Sequence, residues 1–376
     1  KLKKIHVKYD VINNMNLTHK IEILPNKKQQ VIINKACGTA RFTYNYALKQ
    51  YELIYNEHKL DNNKPKPNIL QIKKEFNRIK ETEFPWIYES PKDANQQPFN
   101  NLKTAFDRFF KRKSKYPQLK KKKTNESFYV SNSVFKLNEK EVTLPFIGKV
   151  KMKEKLRFIG KTMNATISKI ANKFYISINV ELSEDYKRDR TNNAKIGLDL
   201  GIIDFVVDSN GKKAKAPKPL KKYNKVLKRT QRRLSKKKKG SKNRKKAKIK
   251  LNKLHFKISN IRNDFLHKLS TNICRENQTI NIENLKVSNM IKNHKLAKAI
   301  SDLSWHTFRT MLEYKCKLYK NTLNLLDTFY ASSKICSSCG NKKTNLNLAD
   351  REYNCDVCKI CIDRDYNAAL NIFNYI

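Results

Sequence analysis

Four cysteines and three acids account for most of the chemistry available to this sequence. Cys336-Ser-Ser-Cys339-Gly and Cys355-Asp-Val-Cys358 form two pairs, two residues inside each pair and fifteen between them. That spacing lets four thiolates converge tetrahedrally on one structural zinc ion. A disulfide or an incidental cluster is the plainer alternative. Zinc is preferred because the spacing is specific and the cysteine usage argues against secretion. Directly after the knot, Asp363-Arg-Asp365-Tyr-Asn-Ala-Ala-Leu puts a carboxylate at the mouth of a short helix. Two more acids stand at strand ends. Residues 195–211 read as a β-hairpin: apolar runs flank Gly201, and Asp-Ser-Asn-Gly211 closes a turn. Asp199 lies in its first strand, where a lone carboxylate is costly to bury unless a metal or hydrogen bonds satisfy it. Thr279-Ile-Asn-Ile-Glu283 reads as a second short strand ending in an acid. Carboxylates from separate elements suit a two-metal nuclease, with Mg²⁺ ions about 4 Å apart, one activating water and one stabilising the leaving oxygen. Any one of these acids alone is more simply a turn or salt-bridge residue. Three in this order, with the knot before the third, favour catalysis.

The elements around them must hold these groups. Lys20-Ile-Glu-Ile-Leu24 is expected as a strand ending at Pro25. From Asn26 to about residue 113 the pattern is helical, interrupted by Pro65, Pro67, Pro85 and Pro91. Past Ser127 it turns to strands. Ile176, Ile178, Val180 and Leu182 alternate with polar neighbours, and a turn at Ala171-Asn-Lys173 pairs them with residues 165–169. A small β-barrel with a helical insertion is expected. Tyr44, Tyr51 and Tyr55 share a helical face with Leu48; core packing is the simpler reading, base stacking the sharper one. Trp305, Phe308, Met311, Leu312 and Tyr319 read as a packed stripe.

Composition points to a polyanionic partner. Lys plus Arg number 82 against 33 acids, a formal net charge of +49 with pI near 10. No acid occurs between Asn210 and Asn263, and residues 212–250 hold 21 Lys or Arg in 39 positions. Gly240 and Ser241 break this run into two helices. Leu251, Leu254, Ile258, Ile261, Phe265 and Leu269 then mark one long amphipathic helix. A basic run is commonly a tail or a localisation signal. This one lies between two acid-bearing strands, which favours phosphate binding by Lys221, Lys222, Lys228, Arg229, Arg232, Arg233, Lys236, Lys237, Arg244 and Lys245. Such binding should weaken steeply with salt. No apolar run reaches about 18 residues, and Lys1-Leu-Lys-Lys opens no signal peptide. Cys37, Cys274, Cys316 and Cys361 read as small apolar or incidental thiols, and the seven histidines show no ligand spacing. At 376 residues the chain has room for two or three domains.

Taken together, these features resemble the TnpB family, RNA-guided nucleases of small bacterial insertion sequences with a split RuvC-type, RNase H-like domain. The likeness extends beyond the acids and the zinc ribbon. Ile282-Glu283-Asn-Leu-Lys-Val-Ser-Asn-Met290 resembles the family's second acid motif. Ser301-Asp-Leu-Ser-Trp305-His-Thr-Phe308-Arg-Thr-Met-Leu-Glu-Tyr314-Lys315 resembles the helix before the ribbon. Ala36-Cys-Gly-Thr-Ala-Arg41-Phe-Thr-Tyr44-Asn45-Tyr-Ala-Leu48 is similar to the N-terminal helix signature, which adds Arg41 and Tyr44 to the candidate nucleic-acid contacts.

The resemblance implies Asp199, Glu283 and Asp365 as Mg²⁺ ligands. In the family the second acid of the Asp-Arg-Asp run serves, hence Asp365 and not Asp363. It implies structural Zn²⁺ on Cys336, Cys339, Cys355 and Cys358. A guide RNA and target double-stranded DNA are the implied partners, with no membrane; oligomeric state stays open, with a monomer preferred. The implied fold is α/β plus β-barrel. Residues 1–26 and 114–190 would form a wedge-like barrel and 27–113 a helical recognition insertion. Residues 191–332 and 360–376 would form the nuclease domain, and 333–359 the ribbon. A cytoplasmic, nucleoid-associated bacterial setting is expected, or a nuclear or viral-host one for a eukaryotic or viral relative. Lys359 stands where the family has Gly, Cys361 is an extra thiol, and residue 1 is Lys, so a trimmed start stays open. Three rivals remain. A transposase of RNase H-like fold usually has its Glu last, whereas Glu283 is in the middle. A nuclease-dead RNA-guided repressor would be expected to have lost one of the acids. A compact type V CRISPR effector, or a eukaryotic or viral relative of TnpB, would differ only in the source of its RNA.

Overall fold

The computed structural model describes residues 15–122, 126–182, 191–328, 330–347 and 350–375. They fall into two compact units, residues 15–182 and 191–375. The first four residues, searched above for a signal peptide, lie outside them.

In the first unit β1 (Met15–Leu24) stops before Pro25, and a reciprocal capping box starts the next helix. Asn26 Oδ1 accepts from the Gln29 N–H and Gln29 Oε1 accepts from the Asn26 N–H, both at 2.9 Å. The helix α1 (Lys27–Leu60) packs with α2 (Ile69–Glu83) and α3 (Lys92–Phe110). Leu48, Phe76, Phe99 and Leu102 form their buried core. Tyr44 belongs to that core, and the Lys120 ammonium lies 3.9 Å from its ring centroid. The ring of Tyr44 is therefore part of the helical core, as the simpler core-packing reading expects. Tyr51 is partly buried and Tyr55 is 51% exposed, so the expected stripe tapers outward along the helix.

The remaining strands are β2 (Glu126–Ser131), β3 (Lys136–Asn138), β4 (Glu141–Leu144), β5 (Gly148–Met152), β6 (Lys161–Ile170) and β7 (Lys173–Leu182). They join β1 in one antiparallel sheet of order β2-β6-β7-β1-β5-β4-β3. The β6–β7 turn is the one expected, with Ala171 and Asn172 both at positive φ. Barrel closure needs hydrogen bonds between the edge strands. Among the described residues β2 and β3 end the run without pairing to each other, so the expected barrel is seen as an open seven-stranded sheet.

The second unit is built on a five-stranded mixed sheet. It contains β8 (Ala194–Asp199), β9 (Val206–Asp208), β10 (Lys213–Ala214), β11 (Asn277–Ile282) and β12 (Thr322–Leu325), in the order β10-β9-β8-β11-β12. The first three pair antiparallel as hairpins, while β11 runs parallel to both β8 and β12. Parallel neighbours need crossovers. The path to β11 runs through the basic helices α4 (Pro219–Ser235) and α5 (Lys242–Glu276), separated at Gly240 as expected. That to β12 uses α6 (Val287–Met290), α7 (His294–Leu303) and α8 (Trp305–Tyr319). The anticipated stripe on α8 is fully buried. Helix α4 has no side-chain cap of its own. Instead buried Asp302 of α7 accepts from the Leu220 and Lys221 N–H groups at 3.0 Å and from Arg262 of α5 at 2.9 Å. One carboxylate thus anchors the positive end of α4 and ties three helices together. A two-stranded hairpin, β13 (Glu352–Asn354) with β14 (Cys361–Asp363), leads into α9 (Arg364–Asn374). No helix among the described residues is long and apolar enough to cross a membrane.

Candidate active site

Strand register brings two of the acids together. Leu198 of β8 and Ile282 of β11 are paired neighbours on parallel strands. Asp199 and Glu283, each one residue further on, therefore emerge side by side at the carboxyl ends of adjacent strands, a usual place for ligands in α/β sheets. Asp365 comes from the first turn of α9, which lies on β8. Gly197 permits that contact: a Cβ there would meet Ala369 O and Phe373 N of α9 at 2.4 Å. Gly197→Ala should therefore push α9 off the strand, costing about 1–3 kcal/mol as an overpacked contact. Any activity that depends on the geometry of these acids should fall at least about tenfold, since an ångström of misplacement can cost 10²-fold. Single-turnover rates beside melting curves would check both.

Burial and neighbouring charge oppose ionisation of Asp199 and Glu283. Burial, then the charges of Glu283 and Asp365, push the Asp199 carboxyl well above its ordinary range. Burial also raises Glu283; the Ser332 hydroxyl, donating to its Oε1 at 2.7 Å, pulls the other way. Mutually destabilised, partly buried carboxylates are the electrostatics of a cation site, and an all-oxygen donor set suits Mg²⁺. Asp363 has other work. Its Oδ1 accepts from the Asp365 and Tyr366 N–H groups at 3.0 Å, capping α9, and its Oδ2 accepts from Lys213 at 2.6 Å. Against burial, Lys213 and those amides hold it below its ordinary value. That gives a physical ground for choosing Asp365. At the other end of α9, buried Asn281 of β11 donates to Ile372 O at 2.9 Å and Tyr375 O at 3.1 Å.

The four ribbon cysteines converge with all sulfurs within 4.8 Å of one another, the sole such group of metal ligands among the described residues. Both knuckles fold alike. Cys336 N–H donates to Asn341 O and Gly340 N–H to Cys336 O; Cys355 N–H donates to Ile360 O and Lys359 N–H to Cys355 O. The N–H groups of Cys358 and Val357, against burial, pull the Cys355 thiol down, while its thiol neighbours push Cys339 up, so the four sulfurs share their protons as one set. Gly340 and Lys359 occupy the same left-handed position, φ 74° and 60°. Lys359 is thus strained where Gly would not be. Lys359→Gly should stabilise the ribbon by roughly 0.5–1 kcal/mol, measurable as a raised melting temperature.

The basic run lies on α4 and α5. Lys225, Lys228, Arg229, Arg232, Arg233 and Lys236 line one α4 cavity of about 420 Å³ with no acid among them. Lys225 escaped the sequence reading, although its spacing to Lys228 and Arg229 was the signal. Lys221, Lys222, Lys237 and Lys245 are exposed. Arg244 is engaged: its guanidinium donates to Leu234 O at 2.9 Å and Lys237 O at 2.7 Å, closing the end of α4. Arg41, in the other unit, is paired with Glu126. Sequence reasoning also missed Ser332, Gly197, Lys213 and Asp302, because their roles depend on partners distant in sequence.

The sequence matches a family model described as "Probable transposase" over residues 177–294 and a Cas12f1-like TNB domain over 305–372. It also matches a helix-turn-helix domain over 15–59, where the structure has β1 and a single long helix. A Streptomyces pristinaespiralis protein named as a candidate RNA-guided DNA endonuclease is 36% identical over 361 residues, spanning 94% of this chain and 87% of its own. A similarly named Escherichia coli K12 protein is 31% identical over 372 residues, 94% and 90% of the two chains. The TnpB-like protein L770 of Acanthamoeba polyphaga mimivirus is 26% identical over 244 residues, 60% of this chain and 45% of its own. Among solved structures, the Cas12f1 chain of a cryo-EM complex with sgRNA and target DNA superposes with a TM-score of 0.57 at 13% identity, covering 96% and 99% of the chains. At that identity the likeness speaks for the fold.

Proposed function

This chain belongs to the TnpB family, and from that premise we propose that it is an RNA-guided DNA endonuclease of a transposable element, cutting target DNA beside a short flanking motif at a single RuvC-like site. The observation that carries the catalytic reading is the Leu198–Ile282 register, which sets Asp199 and Glu283 side by side, with Asp365 near enough to raise the Asp199 carboxyl.

Asp199, Glu283 and Asp365 would hold two Mg²⁺ ions. When bound, such ions supply Lewis acidity to the phosphoryl oxygens and lower the pKa of a water. The chain's own residues do the rest. Lys213 and the α9 amides keep Asp363 occupied. The cationic face of α4 would track a nucleic-acid backbone, reading shape and charge while pairing with the guide reads sequence. Zinc on the four cysteines would brace the knuckles beside α9. In the N-terminal unit, the seven-stranded sheet of the wedge-like region (1–26 and 114–190) with its helical insertion (27–113) would hold the RNA scaffold and read the flanking motif. A cavity of about 680 Å³ there, with Arg41, Gln97, Asn101, Gln118 and Lys120 in its wall, offers the mixed donors and acceptors that base edges require. The nuclease domain (191–332 and 360–376), the ribbon (333–359) and a bacterial cytoplasmic setting complete this reading.

The test is to express the chain with its native flanking DNA, purify it through a high-salt wash and sequence the retained RNA. One dominant species with a fixed scaffold, running into neighbouring sequence at one end, is expected. A heterogeneous smear, or none, would leave an unguided nuclease or transposition factor as the better account.

A further inference from the structure

Glu283 sits just past the end of β11 on a long side chain whose rotamer freedom must be restrained for it to act as a ligand. Among the described residues its carboxylate has one hydrogen-bond donor, Ser332 Oγ at 2.7 Å. Ser332 is 4% exposed and lies four residues before the first zinc ligand. Its surroundings are fixed from α9. Asn371 Nδ2 donates to Ser332 O at 2.8 Å and to Ile335 O at 2.6 Å. Asn367, one turn earlier on the same face, donates to Ile335 O at 2.7 Å and accepts from the Ser337 N–H at 2.9 Å. Both asparagines are buried, and their side-chain amides bond to this one segment.

We infer that Ser332 is a positioning residue for Glu283, and that α9 sets, through it, the register of Glu283 as well as that of Asp365. Three contacts of α9 then carry the site. Its backbone lies on Gly197, two residues before Asp199; its first turn bears Asp365; its second and third turns hold the segment that aims Glu283. The ribbon hangs from the same segment, so zinc binding and carboxylate geometry share a scaffold. The inference rests on the nuclease reading above and adds a residue to it.

The test compares Ser332→Ala and Ser332→Thr with the parent as guide-loaded complexes. Four quantities are read: single-turnover cleavage, Mn²⁺ affinity by paramagnetic resonance, zinc content and melting temperature. Outer partners of metal ligands typically account for 10–100-fold in metal affinity or activity. We expect Ser332→Ala to lose about tenfold or more in both Mn²⁺ affinity and cleavage at fixed Mg²⁺. Zinc content, melting temperature and DNA binding should stay unchanged, and Ser332→Thr, which keeps the hydroxyl, should restore most of the loss. Parental Mn²⁺ affinity and cleavage in Ser332→Ala would overturn the inference. So would a loss of zinc or an early melt in that variant, which would mark a structural role, or a Thr variant as impaired as Ala. A parent chain that neither retains RNA nor cuts would defeat the nuclease reading instead, and the Mn²⁺ comparison would still decide the role of Ser332.

Discussion

Asp199→Ala should reduce DNA cleavage by about 10³-fold or more, the loss expected when roughly 4 kcal/mol of metal-borne transition-state stabilisation goes. Guide RNA and target DNA should still bind, because Asp199 is a metal ligand and not a phosphate contact, and the cationic face of α4 is untouched. The electrostatics add a second readout. Burial and the charges of Glu283 and Asp365 hold the Asp199 carboxyl well above its unfolded value. Folding therefore takes up protons at this position, and its contribution to stability is lost as pH rises through the raised value. In chelator, Asp199→Asn removes an ionisable group whose charged form burial and its neighbours disfavour, while keeping the shape. It should melt no lower than the parent. Unguided loss of function by misfolding would lower the melt instead. An Asp199→Ala protein that cuts at the parental rate would remove Asp199 from the site.

Local signals were legible wherever one short segment contains the whole cause. The 195–211 hairpin, the break at Gly240, the strand before Glu283 and both zinc knuckles all depend on neighbours a few residues apart. What stayed hidden depends on pairings across long stretches of chain. The parallel register of Leu198 with Ile282 is set across the two basic helices, and no local pattern encodes it. Buried Asp302 reads as an ordinary helix acid until α4 and Arg262 are brought to it. Cys274 and Cys316, scattered in sequence, meet in the core with their sulfurs 3.9 Å apart. Tyr44 shows the converse. Its helical face was legible, but only packing against α2 and α3 decides that the face is core. Barrel closure was not legible for a similar reason, since strand alternation shows which residues face inward and says nothing of whether the edges meet; among the described residues β2 and β3 do not pair.

Removing zinc should be the most damaging change to the C-terminal lobe. Structural zinc contributes on the order of 10 kcal/mol to the folding of small ribbons, whose core here is little more than Tyr353 beside Cys336 and Cys355. Cys336→Ser should therefore lose stoichiometric zinc and melt the lobe early. The hydrogen bonds predict that the damage will not stop at the ribbon. Cys336 lies between Ile335 and Ser337, the residues that Asn367 holds against α9, and Ser332 precedes them on the same segment. Once the knuckle loosens, that segment loses its anchor and Glu283 loses its donor. Cleavage should then fall even with excess Mg²⁺ restored, while nucleic-acid binding is retained. Metal analysis, melting curves and cleavage assays on one preparation would separate these effects. Full zinc content in Cys336→Ser would remove that cysteine from the metal site. Full cleavage without zinc would show instead that the ribbon does not support the carboxylates.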